Sequence, residues 1–447
     1  MLLDLLLAVA RADPGRELLV APGRTLTYAE GAARAQELAL ALRDAGLRRF
    51  GIAGTDPVDT VLLLVAASAI GAEACVYPAG DRAAADALAT ALGHDRYVTP
   101  DGEASEMVLP LGALTGGRGE LPAPDADPVL ILTSGTTGTP KGTRHRWSRL
   151  LATARPEDGT GQRWLLAYNT SQFAGLQVIL HALVSGATIV VPASVQPRHA
   201  VDAMRTAGVT HASATPTFWR FATHLLREPG TVRPPLQQIT LGGEAIPEAV
   251  LVELHELFPD ARISQVYASS EFGSSVSVRD GKPGLPVSVL DRTDDAPVQL
   301  RVIDGELHAR STVGMLGYHG VDDRETGWHA TGDLVEILGD RIRFVGRTSE
   351  IINVGGVKVA PLPIEEVVSR VPGVVAAVVY GRANPVTGNV VATDVVAADG
   401  VDTDALKAAI RDAVKALPDA HRPRSIRIVD ALDLPNQKLR RPSGSAT

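Results

Sequence analysis

The run Thr133-Ser134-Gly135-Thr136-Thr137-Gly138-Thr139-Pro140-Lys141-Gly142 concentrates groups suited to hold an anion. Its glycines let successive backbone N–H groups turn toward one point, and its hydroxyls add further donors. Lys141 supplies the compensating charge. The loop directly follows Val129-Leu130-Ile131-Leu132, a continuously apolar run expected of a strand buried on both faces. Flexible Ser/Thr/Gly linkers rarely sit there and rarely close on Pro-Lys-Gly, so the loop reads as a phosphate site. It is not the Walker type, because Lys141 is preceded by Pro140 and followed by Gly142.

Around this loop the pattern is α/β. Thr27 and Glu30 stand in capping-box spacing ahead of an Ala/Leu-rich helix that runs to about Leu42, with Gly46 near its end. Helical stretches at Leu176 to Ser185, Arg198 to Ala207 and Pro247 to Phe258 alternate with strands. The strands are Thr188 to Val191, Thr210 to Ala214, Ile239 to Leu241 and Ile263 to Val266. Such alternation predicts a mainly parallel sheet with helices on its faces. Between Pro283 and Phe344 helices give way to short strands (Gln299 to Val302, Glu306 to Ala309, Ile342 to Val345), a smaller β-rich lobe. After Gly346 comes a compact α+β tail. Its strands are Val374 to Tyr380, Val390 to Val396 and Ser425 to Val429, and its amphipathic helix is Asp402 to Leu417, with Leu406, Ile410, Val414 and Leu417 on one stripe. The expected division is 1–346, a hinge at 347–349, and 350–447.

Further motifs are spread over nearly the whole chain: Leu26-Thr27-Tyr28-Ala29-Glu30, Leu241-Gly242-Gly243-Glu244, Tyr267-Ala268-Ser269-Ser270-Glu271, Trp328-His329-Ala330-Thr331-Gly332-Asp333, Gly346-Arg347 and Asn353-Val354-Gly355-Gly356. Together they strongly resemble the adenylate-forming superfamily of acyl-CoA synthetases, peptide-synthetase adenylation domains and luciferases. The chain is most like a compact stand-alone acyl- or aryl-acid ligase. The resemblance implies a large N-terminal domain and a small mobile C-terminal one.

It also implies roles. Thr133, Ser134, Gly135, Thr136, Thr137, Gly138 and Lys141 would hold the phosphates of ATP. Glu271, with Ser270 beside it, would hold Mg²⁺, a hard cation that takes one or two carboxylates from protein. Tyr267 would lie on the adenine face and Gly243 and Glu244 along its edge. Asp333 would accept from the ribose hydroxyls, with Arg347 adding a donor and marking the hinge. In Leu434-Pro435-Asn436-Gln437-Lys438-Leu439-Arg440-Arg441, Lys438 would bridge the substrate carboxylate and the α-phosphate, assisted by Thr137 and Glu271. Gln437 replaces a usual glycine, that stretch is two residues shorter than usual, and Ser349 stands where the family hinge has aspartate or lysine.

The acid pocket is expected at Asn169, Gln172, Phe173, Thr215, Gly242 and Ala268. Amino-acid-activating members place an aspartate in the first of these segments to pair with an α-ammonium. Gln172 and Phe173 stand here instead, and a neutral pocket does not compensate a buried cation. The substrate is therefore expected to be a carboxylic acid without a free α-amino group, aromatic acids included. Coenzyme A or the phosphopantetheine arm of an acyl carrier protein is the expected acceptor; an amine acceptor, amino-acid adenylation and a catalytically silent nucleotide binder are the alternatives. Gly142 to Arg146 is unusually basic, which suits either a phosphate-bearing thiol or plain surface.

Composition bounds the rest. With 45% hydrophobic and 21% charged residues the chain reads as soluble and globular, and its net charge of −8 speaks against a broad nucleic-acid surface. Cys75 is the one cysteine, which excludes an internal disulfide or a cysteine-rich metal site and fits a reducing compartment. Met1 to Ala10 carries Asp4 and no preceding basic residue, and Thr60 to Ala72 is too short to span a bilayer. Both are expected as buried helices of a cytoplasmic protein without membrane partners.

Overall fold

The computed structural model describes residues 1–447 except 118, 122, 134–139, 155, 294, 434–440 and 443–447, and except the side chains of 274 and 275. Four sheets organise it. An eight-stranded sheet runs, edge to edge, through Gly273–Val278, Arg262–Ser269, Gln238–Gly242, His211–Ala214, Arg163–Leu166, Thr188–Val190, Glu17–Ala21 and Arg24–Thr27. Its inner strands are parallel and its two edge strands antiparallel.

A seven-stranded sheet carries Pro128–Thr133, whose four central residues are buried, paired antiparallel with Lys141–Arg146. The largest apolar core lies around the helices Leu2–Ala12, Tyr28–Asp44, Pro57–Ala69 and Phe173–Ser185. Both apolar stretches singled out in the sequence are thus core helices, and among the described residues no helix is long and apolar enough to cross a membrane. The capping box is present: the Glu30 N–H donates to Thr27 Oγ1 (3.2 Å) while the Thr27 N–H donates to Glu30 Oε2 (2.8 Å).

The β-rich lobe is a five-stranded antiparallel sheet in the order Leu285–Pro286, Arg341–Arg347, His329–Leu338, Glu306–Ser311 and Val298–Ile303. The fourth sheet is built entirely from residues between 352 and 428 and has its own apolar core, which includes Leu406, Ile410 and Val414. Its helix Pro361–Ser369 faces the rest of the molecule. Arg220 donates to Ser369 Oγ (3.0 Å), Arg343 to both Glu366 oxygens (3.1 Å each), and Arg370 to Glu248 (3.4 Å). Sequence patterning had not distinguished three elements that matter below: Lys141–Arg146, the helix Pro216–Leu226 and the strand His329–Leu338.

Candidate active site

A cleft of about 2240 Å³ opens where the eight-stranded sheet, the β-rich lobe and the C-terminal sheet meet. The parallel strands deliver their C-terminal ends to it, the usual place for ligands in such sheets.

At one side of the cleft, three strands bring Tyr267, Asp333 and Arg347 together. The Tyr267 hydroxyl donates to Asp333 Oδ2 (2.7 Å) and Arg347 Nε donates to Asp333 Oδ1 (2.9 Å). Asp333 and Arg347 are direct cross-strand partners, and Phe344 stacks on the Tyr267 ring with centroids 5.2 Å apart. Asp333 is only 9% exposed, so it needs these donors. Burial, and then the neighbouring Asp333 carboxylate, push the Tyr267 phenol well above its ordinary value, which keeps it a neutral donor. The same carboxylate holds the Arg347 guanidinium raised.

The strands that flank the loop expected to bind phosphate are among the described residues. Thr133 and Lys141 are opposite one another in the antiparallel pair, and Thr133 Oγ1 donates to the Lys141 carbonyl (3.3 Å). Ser134, Gly135, Thr136, Thr137 and Gly138 lie outside the described residues, as does Lys438. The Lys141 ammonium sits 5.5 Å over the Tyr318 ring, whose hydroxyl donates to Glu271 Oε1 (3.4 Å). Arg324 donates to the Glu271 carbonyl (3.0 Å) and packs its guanidinium 4.3 Å over Phe272. Glu271 is thus a half-buried carboxylate facing the cleft beside Ser270. Among the described residues no group of three metal-type side chains exists. A single carboxylate fits Mg²⁺ held otherwise by phosphate oxygens and water.

Gly242, Gly243, Glu244 and Ala268 line the cleft. Gly243 has φ +86°, a backbone conformation that favours glycine, and Glu244 Oε2 accepts the Thr217 N–H (3.1 Å) at the start of the helix Pro216–Leu226. Gln172 and Phe173 also line it, but the Gln172 carboxamide oxygen accepts the Asn169 N–H (2.9 Å), so it shapes the turn into the helix Phe173–Ser185. Two expected wall residues are not cleft-lining. Asn169 exchanges hydrogen bonds with Gln172 through its backbone, its carbonyl accepting the Gln172 N–H (3.0 Å). Thr215 is fully buried as a helix N-cap, its hydroxyl accepting the Phe218 N–H (3.0 Å), and its neighbours Pro216 and Thr217 reach the cleft instead.

The basic stretch after Lys141 proves structural in part. Arg144 donates to Asp323 (2.7 Å) and to the carbonyls of Tyr318 and Val321, fastening the segment that carries Tyr318. His145 is 1% exposed behind Phe173, with ring centroids 5.9 Å apart. Burial, with the Arg149 charge adding to it, lowers its pKa to about 4.

The model of the AMP-binding enzyme family matches residues 99–319, and that of the AMP-binding enzyme C-terminal domain matches 363–438. The chain belongs to the AMP-binding enzymes. A feruloyl-CoA synthase of Amycolatopsis sp is 28% identical over 95% of this chain and 94% of its own length. A fatty acid–[acyl-carrier-protein] ligase of Streptomyces coeruleorubidus is 30% identical over 62% of this chain, which spans 59% of that ligase. Among solved structures, an anthranilate CoA ligase in complex with anthranoyl-AMP superimposes with a TM-score of 0.85 over 98% of this chain and 95% of its own, at 18% identity. The amide bond synthetase of Marinactinospora thermotolerans gives 0.76 over 98% and 97%, at 22% identity. At such identities the structural likeness concerns the fold. The architecture is that of adenylate-forming enzymes.

Proposed function

We propose that this AMP-binding enzyme activates a carboxylic acid without a free α-amino group as its acyl-AMP and then passes the acyl group to a thiol. The observation that carries the reading is the convergence, in one cleft, of the Asp333–Tyr267–Arg347 cluster, the cleft-facing Glu271, and an elongated pocket along the sheet. Asp333 would accept from the ribose hydroxyls with the remaining lone pairs of its carboxylate, and Arg347 would be the adjacent donor. Family membership supplies the nucleotide, and the thiol acceptor is favoured by curated relatives named as coenzyme A or carrier-protein ligases.

In the first step a carboxylate oxygen of the acid attacks the α-phosphorus of ATP and pyrophosphate leaves. Lys438 would place its ammonium between the two reacting anions, where negative charge grows. Thr137 would donate to the departing phosphates. Mg²⁺, when bound at Glu271, would neutralise phosphate charge. In the second step the thiolate of coenzyme A or of a carrier-protein phosphopantetheine attacks the acyl carbon, and AMP leaves with the bonding pair.

The test is pyrophosphate release from Mg·ATP with a panel of aryl and alkyl acids, with no thiol present, in the wild type and in Lys438→Ala. Acid-dependent release that drops by about 10²–10³ in the variant is expected for loss of a charge-stabilising donor. Nucleotide binding with no release from any acid would make the chain a silent binder.

A further inference from the structure

The cleft does not stop at Gly242. It continues along the face of the eight-stranded sheet toward the opposite ends of the strands, and there its floor is polar. Thr240, Ser213, Ser264 and Gln238 line it. Strand register places Gln238 beside both His211 and Arg262, and Thr240 beside both Ser213 and Ser264, so the row is continuous. Gln238 is 5% exposed. Its amide donates to Thr240 Oγ1 and Ser264 Oγ (3.0 Å each), and its carbonyl accepts from Arg262 Nε. Across from this floor, on the helix Phe173–Ser185, Gln177 accepts from Thr153 Oγ1 (3.2 Å) while its Nε2 is buried with no hydrogen-bond partner. A buried donor left unpaired is costly unless a ligand meets it.

At the far end the walls are Trp164 and His181, in edge contact at 5.1 Å, and the charged groups among the described residues are Arg262 and Glu157. Their pairing is loose, 3.9 Å between two half-exposed side chains. His211, tilted against Trp164 at 4.9 Å, has its pKa lowered to about 4 by burial and then by Arg262, so it adds no charge at neutral pH. The distance from Gly242 to Gln238 along the strand is about 13 Å at the usual rise per residue.

We propose that the acid accepted by this enzyme is an elongated molecule with a second anionic group at the end remote from the reacting carboxylate, held by Arg262, and a hydrogen-bond acceptor between them opposite Gln177. This rests on the acid-activating reading of the same cleft. In that arrangement the Arg262 guanidinium exchanges its loose contact with Glu157 for a charge-assisted, two-point contact with the ligand, the stronger interaction of the two.

The test is acid-dependent pyrophosphate release with paired acids of equal length, ending either in carboxylate or in methyl, in aryl-bodied and alkyl-bodied series. The expected kcat/KM ratio favours the carboxylate-ended member by about tenfold or more at the length that spans the channel, the scale of one hydrogen-bonded charge. Arg262→Gln brings that ratio toward one, and Glu157→Gln, which removes the competing anion, raises it. A ratio at or below one in the wild type, or a ratio insensitive to both substitutions, overturns the proposal. Release from no acid at all is instead the failure of acid activation itself, and the inference falls with it.

Discussion

The two faces of the eight-stranded sheet are built from the same strands and do opposite things. On one face Leu165, Ala212, Ile239, Leu241 and Ile263 pack beneath the helices Pro197–Thr206, Pro216–Leu226 and Glu248–Leu257 in a closed apolar core. On the other, the alternate residues Ser213, Thr240, Ser264 and Gln238 face the cleft. A parallel sheet covered by helices on both faces ordinarily shows apolar residues at every position. Strict alternation in buried parallel strands therefore marks the face that was kept for a ligand.

The largest expected effect separates the faces directly. Leu241→Ala should lower unfolding free energy by about 2–5 kcal/mol, the cost of truncating a closed core, read by urea denaturation. Its neighbour tests the other face: Thr240→Val should change stability by less than about 1.5 kcal/mol, as one modest hydrogen bond, and change KM for the acid. Equal destabilisation by both would erase the distinction.

Buried histidines come next. His94, His145 and His211 each have a folded pKa of about 4 against an ordinary 6.5, with burial the leading cause. The unfolded chain binds more protons than the folded one between these values, so this contribution is complete above pH 6.5 and is lost as pH falls toward 4. Each histidine costs up to roughly 3 kcal/mol over that window by linkage. Replacing His145, the one beside Phe173, with Gln should flatten the slope of stability against pH; an unchanged slope would show that His145 titrates normally.

Asp333→Ala probes the nucleotide side of the cleft. It strips the Tyr267 hydroxyl and the Arg347 guanidinium of their acceptor, with an expected cost of about 1–3 kcal/mol in stability. KM for ATP should rise far more than KM for the acid, the reverse of the Thr240→Val result. The smallest effect belongs to the exposed pairs joining the C-terminal sheet to the rest. Arg370→Ala, whose side chain is 57% exposed, should cost no more than about 1 kcal/mol in a thermal melt.

Much of the fold was legible because local signals agreed with tertiary structure. The Thr27/Glu30 box, the apolar Val129-Leu132 strand and the Leu406/Ile410/Val414 stripe each appear where their patterns place them. The strand His329–Leu338 was hidden because its first half, His329-Ala330-Thr331-Gly332-Asp333, carries almost no apolar signal and its last three residues are all exposed, so no alternation marks it. The helix Pro216–Leu226 begins at a proline inside a short Thr-Pro-Thr segment that reads equally well as a turn. At the site, motif order located Tyr267, Asp333 and Arg347 individually, but their mutual hydrogen bonds depend on the register of separate strands, which a one-dimensional pattern does not contain. Thr215 was misplaced for a related reason: a threonine before proline is as good a helix cap as a pocket wall, and only burial tells them apart. The polar floor did leave a trace, the alternation in Gln238-Ile239-Thr240-Leu241 and His211-Ala212-Ser213-Ala214.

The most direct test of the central claim is to incubate the protein with Mg·ATP and candidate acids in the absence of thiol and to analyse the protein-bound small molecules by mass spectrometry. Acid activation predicts a species with the mass of the acid plus AMP less water, formed only when both substrates are supplied and discharged with release of AMP when a thiol is added. Bound ATP or AMP alone with every acid, and no mixed anhydride, would contradict it.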